Sequence, residues 1–270
     1  MKDIRGMLLF LKAGFCNWIL SPGIFSDWYK LIAYRIAFIL RKDPSVTFTL
    51  HTRNGVEFTT TAEGFGSIYE CWLSKEYFPQ MPYALPEKAR IVDIGASIGL
   101  FTLYVAAQYP RSRVFSYEPV PDSFELLIDN VRRNHFENRV KASNAAVSST
   151  GGESTFHVGN HNVLASLFAK GGQSLTVKTL TLDDIVSEVG KIDFLKLDAE
   201  GAEYEILLKA KLTTLKKISA ISLEYHDHIT PHNHSEILKT LENNGFKTKI
   251  SAQHPGQVTG IIFASRMGVD

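Results

Sequence analysis

From Arg90 to Ala264 the chain alternates short apolar runs with amphipathic stretches of helical period, and this alternation confines it to a doubly wound, largely parallel sheet. Strands are expected at residues 90–94, 113–117, 140–143, 192–197 and 218–225, with 246–250 and 260–264 as a closing pair. Helices are expected at 100–108, 122–134, 182–189, 202–210 and 235–244. In the second of these Phe124, Leu127, Ile128 and Val131 share one side. Residues 150–170 read as an excursion with a short extended piece at 155–158, and 174–182 read as extended again. In such a sheet ligands bind outside the carboxyl ends of the strands, where the winding reverses. The residues to inspect are therefore those just after each strand.

Residues 1–85 follow another pattern and are expected to form an accessory segment ahead of a main domain at 86–270, with Pro86 as the boundary marker. Val46, Phe48 and Leu50 alternate up to the turn residues Asn54-Gly55, and Val56 and Phe58 continue beyond it, which signals a β-hairpin. Phe65, Tyr69, Trp72, Tyr77 and Phe78 form an aromatic stretch that suits either a packed lid or stacking on a sugar. Residues 7–20 and 28–40 are apolar, but Lys12, Lys30 and Arg35 interrupt them and neither reaches the roughly 20 residues of a membrane span. Two amphipathic helices packing on the main domain is the preferred account. The sharper account is peripheral membrane contact, with Trp18, Trp28 and Tyr29 at the interface.

The net charge of +1 gives no basic stripe for nucleic acid, and the two cysteines, Cys16 and Cys71, form neither a disulfide framework nor a metal motif. A cytoplasmic protein, peripherally membrane-associated if the N-terminal helices touch lipid, is the expectation. The oligomeric state is not readable.

Chemistry enters at Asp93-Ile94-Gly95-Ala96-Ser97-Ile98-Gly99, a glycine turn between the first strand and its helix. Glycine there permits positive φ and close approach of a ligand. Glu118 ends the second strand about 20 residues further on, where a carboxylate can accept both hydroxyls of a ribose. A dinucleotide would need Gly-x-Gly-x-x-Gly to seat its pyrophosphate. The spacing Gly95-x-x-x-Gly99, with Asp93 close by, instead suits the phosphate-free, cationic S-adenosylmethionine.

The run 92–101, the corner Tyr117-Glu118-Pro119, the strand end Asn144-Ala145-Ala146-Val147, the segment Thr179-Leu180-Thr181-Leu182-Asp183-Asp184 and Lys196-Leu197-Asp198-Ala199-Glu200-Gly201-Ala202-Glu203 together resemble the FkbM-family methyltransferases over residues 91–263. The resemblance implies a Rossmann-like, seven-stranded methyltransferase sheet with helices on both faces, after a small helical and β-hairpin N-terminal segment. It implies O-methylation of a hydroxyl on a sugar, glycan or natural product. It also implies that Asp93, Gly95, Ala96, Ser97 and Gly99 line the methionine and ribose part, that Glu118 holds the ribose and that Asn144 and Ala145 flank the adenine. Asp198 would face the methyl donor. Ser97 stands where the family often has Asn.

A sugar hydroxyl is a poor nucleophile, so a proton acceptor is expected beside it. Asp198, Glu200 and His226 are the catalytic candidates, with Glu224 at the same sheet edge. The local string Glu224-Tyr225-His226-Asp227-His228, with His232 and His234, matches no metal-ligand template, and no metal is assigned from it. The competing classes are a nicotinamide-dependent oxidoreductase, which lacks its glycine here, and a non-catalytic cofactor-binding module, against which Asp93, Glu118 and Asp198 argue.

Overall fold

A computed structural model describes residues 21–34, 46–61, 64–78, 85–158, 165–166, 173–251 and 258–266. The apolar run at 7–20 lies outside the described residues, and of the second run residues 29–34 are helical. Among the described residues no helix is long and apolar enough to cross a membrane. The chain divides into two compact units, Met1–Glu76 and Tyr77–Asp270.

In the first unit strands β1 (Thr47–His51) and β2 (Glu57–Thr61) pair antiparallel, Thr47 opposite Thr61 and His51 opposite Glu57. Their alternation buries Phe48, Leu50 and Phe58. Helix α1 (Phe65–Ile68) runs into a π-helical turn, Tyr69–Leu73, that buries Cys71, Trp72 and Leu73. Trp72, 2% exposed, packs against Phe25 and Phe58 with ring centroids 6.4 and 5.6 Å away. Its indole is part of this core, which leaves no face for stacking on a sugar.

The second unit is built on a seven-stranded sheet of order β12-β13-β11-β10-β3-β4-β5. The strands are β3 (Arg90–Ile94), β4 (Arg113–Tyr117), β5 (Val140–Ser143), β10 (Phe194–Leu197), β11 (Ala220–His226), β12 (Lys247–Ile250) and β13 (Thr259–Ser265). All neighbours are parallel except the reversed β13. The chain winds outward from β3 through β4 to β5, then returns to β10 on the other side of β3, so the winding reverses between β3 and β10. Five helices fall where the period placed them, α2 (Leu100–Gln108), α3 (Pro121–Arg133), α4 (Leu182–Val189), α5 (Glu203–Lys209) and α7 (His234–Asn243), and the short α6 (Leu212–Leu215) adds a turn the period did not announce. On one face Val92, Ile94, Leu195, Leu197, Ile221 and Leu223 form a single core with Ile185, Tyr204, Ile206 and Ile237 of α4, α5 and α7. Burying each such side chain contributes about 1.5–3 kcal/mol, which is why the central strands read as unbroken apolar runs.

The excursion forms a second, four-stranded sheet from β6 (Ala146–Val147), β7 (Gly152–Val158), β8 (Ala165–Ser166) and β9 (Gln173–Leu180), in the order β6-β9-β7-β8. Long β7 and β9 pair antiparallel from Gly152 opposite Thr179 to Val158 opposite Gln173.

Candidate active site

The other face of the central sheet carries a polar row. Register places Ser222, Lys196, Asp93 and Ser116 side by side on β11, β10, β3 and β4. All four are at most 4% exposed. A lysine inside a central strand is tolerable only with anionic partners. Lys196 Nζ donates to the Gly95 carbonyl at 2.7 Å and lies 3.5 Å from Asp93 Oδ1 and 3.3 Å from Asp198 Oδ2. Asp93 Oδ2 accepts the Thr102 hydroxyl at 2.7 Å, and Thr102 shares a hydrogen bond with Ser116. Burial pushes the Asp93 carboxyl above the usual range, with Lys196 opposing the shift. Asp93 thus ties the glycine turn to α2 and to Lys196, and its carboxylate is enclosed by protein.

The turn itself crosses the switch point. Gly95 has φ +73°, and a Cβ built there would lie 1.7 Å from the Asp198 carbonyl oxygen. Only glycine lets β3 and β10 close this tightly at their carboxyl ends. Gly99 has φ +89° and caps α2; its added Cβ would lie 3.1 Å from Leu127 Cγ. Ser97 also has positive φ, 48°, and its N–H donates to Glu118 Oε2 at 2.7 Å. The Val120 N–H donates to Glu118 Oε1 at 2.8 Å. Burial pushes the Glu118 carboxyl up to about 7, against the pull of these two N–H groups. Asn144 donates to the carbonyls of Glu118 and Pro119 at 2.9 and 3.1 Å, joining the ends of β4 and β5, while the adjoining Ala145 is buried.

Beyond Asp198 the loop turns through Glu200, whose φ of +49° is unusual for a residue with a side chain. Glu203, fully buried at the start of α5, accepts the N–H groups of Ala199 at 2.7 Å and Gly201 at 2.9 Å. That holds the loop against β11, where His226 is 6% exposed. His226 Nδ1 is 3.3 Å from Glu203 Oε1, and Nε2 is 3.7 Å from Glu200 Oε2 and 4.0 Å from Glu224 Oε1. Burial disfavours charge on the ring, but Glu203, Asp198 and Glu200 outweigh it and push His226 up to about 9. Burial and the neighbouring Asp198 push Glu200 up to about 7. Tyr77 donates to Asp198 Oδ2 at 3.2 Å and to Glu224 Oε2 at 3.4 Å.

Every site residue expected from sequence therefore lies at the carboxyl edge of β3, β4, β5, β10 or β11. The structure joins Ser97 to Glu118, Gly95 to Asp198, and Glu200 to His226. His232 and His234 pair outside this cluster, His232 with Glu236 at 2.9 Å and His234 with Asp227 at 2.7 Å, while the His228 ring lies beside His226 with centroids 6.2 Å apart. Sequence placed Tyr77 only in the aromatic stretch and Lys196 and Glu203 only inside a family motif, and gave none of the three a role at the site. Lys196 carried a signal, as a lone charge in a central strand.

A family model described as methyltransferase FkbM domain matches residues 93–248. Hexuronic acid methyltransferase AglP of Haloferax volcanii is 28% identical over 167 residues, covering 59% of this chain and 65% of that protein. The 31-O-demethyl-FK506 methyltransferase FkbM of Streptomyces tacrolimicus is 26% identical over 199 residues, covering 61% and 75%. AMB antimetabolite synthetase AmbE of Pseudomonas aeruginosa is 26% identical over 227 residues, 68% of this chain, which spans 11% of that much longer protein. Among solved structures, methyltransferase FkbM from Methylobacillus flagellatus KT superposes with a TM-score of 0.51 at 17% identity, covering 71% of this chain and 47% of that one, a likeness of fold.

Proposed function

We propose that this chain, which belongs to the FkbM methyltransferase family, is an S-adenosylmethionine-dependent methyltransferase whose acceptor is a hydroxyl oxygen of a sugar, glycan or natural product. The observation that carries this reading is the set of proton-accepting groups, Asp198, Glu200 and Glu224, gathered beside the glycine turn. Two relatives, a hexuronic acid methyltransferase and a 31-O-demethyl-FK506 methyltransferase, support an oxygen acceptor.

The residues fit the cofactor. The carboxylates of Glu118 and Asp198 flank the turn Gly95-Ala96-Ser97-Ile98-Gly99, which favours a cationic ligand beside it. When bound, the cofactor supplies an electrophilic methyl group on a sulfonium. Glu118 receives one N–H at each oxygen and keeps a lone pair on each for the ribose hydroxyls. Asn144 and Ala145 flank the adenine side. Asp93 acts as a positioning residue through Lys196 and Thr102.

The main task left to the protein is to align the acceptor oxygen about 3 Å from the methyl carbon. Glu200, half-buried and pushed up to about 7 by burial and Asp198, is the group suited to take the hydroxyl proton. His226, which Glu203, Asp198 and Glu200 push up to about 9 against the effect of burial, balances these carboxylates and does not compete for the acceptor's proton.

Calorimetry tests the assignment. Glu118→Ala removes an acceptor for two hydroxyls, each about 1.5 kcal/mol or more when the partner is charged, so affinity for S-adenosylmethionine should fall at least tenfold. Unchanged affinity would refute the ribose contact, and tighter binding of a nicotinamide dinucleotide by the parent protein would refute the cofactor.

A further inference from the structure

Glu200, the group suited to take the hydroxyl proton, sits on a backbone that side chains rarely adopt. Its φ is +49°, and Gly201 follows at φ +102°. Glycine takes such a conformation without strain, but glutamate holds it only where the surroundings impose it. Both residues lie between the end of β10 at Leu197 and the start of α5 at Glu203, outside any helix or strand. A group beyond the turn therefore has to fix it.

The peptide N–H groups on either side of Glu200 end on one carboxylate. Oε1 of Glu203 accepts the Ala199 N–H at 2.7 Å, and Oε2 accepts the Gly201 N–H at 2.9 Å. An acidic residue in a first helical turn is ordinary at a surface, but Glu203 is fully buried, where a carboxylate is costly unless its oxygens are satisfied. The same group also reaches the Glu200 side chain. Oε1 faces His226 Nδ1 at 3.3 Å, and the ring presents Nε2 to Glu200 Oε2 at 3.7 Å. His226 is itself held on β11, which pairs with β13 from Ala220 through to His226. Asp198 and Glu224 also face this ring, and the His228 ring lies 6.2 Å away between centroids. Of these four acids Glu203 alone is fully buried.

We propose that Glu203 is the positioning residue of the proton acceptor: it fixes the main chain of Glu200 through the two flanking N–H groups and aims its side chain through His226. Enclosed as it is, Glu203 takes no proton from the acceptor; that proton passes to Glu200, as in the methyltransferase reading on which this inference rests. Loss of Glu203 should then slow transfer without weakening the cofactor, because Glu118 keeps its own hydrogen bonds from Ser97 and Val120.

Glu203→Gln in the full chain tests this. The amide keeps the size of the side chain but offers one accepting oxygen, so one N–H beside Glu200 loses its partner. Hydrogen exchange followed by NMR should quicken about tenfold or more at the amide of Ala199, Gly201 or both. Calorimetric affinity for S-adenosylmethionine should stay within about threefold of the parent, since the cofactor contacts are separate. Labelled methyl transfer at saturating cofactor should fall about tenfold or more, because the proton acceptor is displaced. A role in folding alone would lower the melting temperature and leave the rate per folded molecule unchanged. Undiminished transfer in the folded variant, or unaltered exchange at both amides, overturns the proposal. If the variant does not fold, the parent decides: both amides should exchange about a hundredfold or more below the free-chain rate, and fast exchange there overturns the proposal. Slow parental exchange that quickens in the variant, in a protein that transfers no label, supports the bracket while sinking the methyltransferase reading.

Discussion

Replacing Gly95 by alanine adds one carbon where the structure has no room for it. The new Cβ would sit 1.7 Å from the Asp198 carbonyl oxygen and 2.8 Å from its carbon, and both are backbone atoms at the end of a central strand. Since Cβ contacts under 3.0 Å essentially do not occur, β3 and β10 must part by about 1.3 Å at their carboxyl ends. That retreat breaks the hydrogen bond from the Asp198 N–H to the Ile94 carbonyl, 3.1 Å, and strains the one from Lys196 to the Gly95 carbonyl. The first is worth about 1 kcal/mol and the charged one about 1.5 or more. Holding alanine at φ +73° adds about 1–2 kcal/mol. The total is about 3–5 kcal/mol, and at 2–4 °C per kcal/mol the melting temperature should fall by about 10 °C. Thermal melting by circular dichroism reads this, with Gly23→Ala as the control, because nothing lies within 4 Å of a Cβ at Gly23. A Gly95→Ala variant that melts within about 2 °C of the parent, as Gly23→Ala should, would refute the clash.

Further outcomes follow from the same geometry. Ser97 sits at φ +48°, which asparagine tolerates better than serine and a β-branched residue tolerates badly, so Ser97→Asn should melt at or slightly above the parent and Ser97→Val several degrees below it. The Glu118 carboxyl is pushed from 4.5 up to about 7 in the folded protein, so it contributes stability below pH 4.5 that is lost as the pH rises to about 7. The ribose contact needs the ionised form, so cofactor affinity measured by calorimetry should rise from pH 6 to 8. The Glu118→Gln variant should lack that component, and identical profiles in both proteins would contradict the contact. Thr181→Ala removes the capping box that Thr181 and Asp184 build at the start of α4 and should cost about 1 kcal/mol in a denaturant titration. The hydroxyl and N–H of Thr181 hold Asp184 below its ordinary 3.8, so the contribution is present above that pH and lost as the pH falls further.

The central sheet was legible because its strands are buried on both faces. Ile91, Val92 and Ile94, or Phe194, Leu195 and Leu197, give short apolar runs that only a two-sided parallel strand explains. The four-stranded side sheet was not legible, since β7 and β9 pair across residues 159–172 and neither strand alone announces its partner. Of the site, the residues after each strand could be placed by topology, and all of them stand at one edge. What sequence could not supply was register. The pairing of Lys196 with Asp93 and the nearness of Asp198 to Glu224 are consequences of how β3, β10 and β11 align. Glu203 stands in the first turn of α5, where acidic residues are ordinary, yet it is fully buried and holds the loop after β10 through Ala199 and Gly201.

The account stands or falls on transfer itself. The full chain, incubated with methyl-labelled S-adenosylmethionine and fractionated extract, should place label in a glycan or small-molecule fraction as an acid-stable methyl ether. Glu118→Ala and Glu200→Gln should each reduce that label at least tenfold. Label recovered on nitrogen or carbon, or undiminished label in both variants, would contradict the acceptor and the site together.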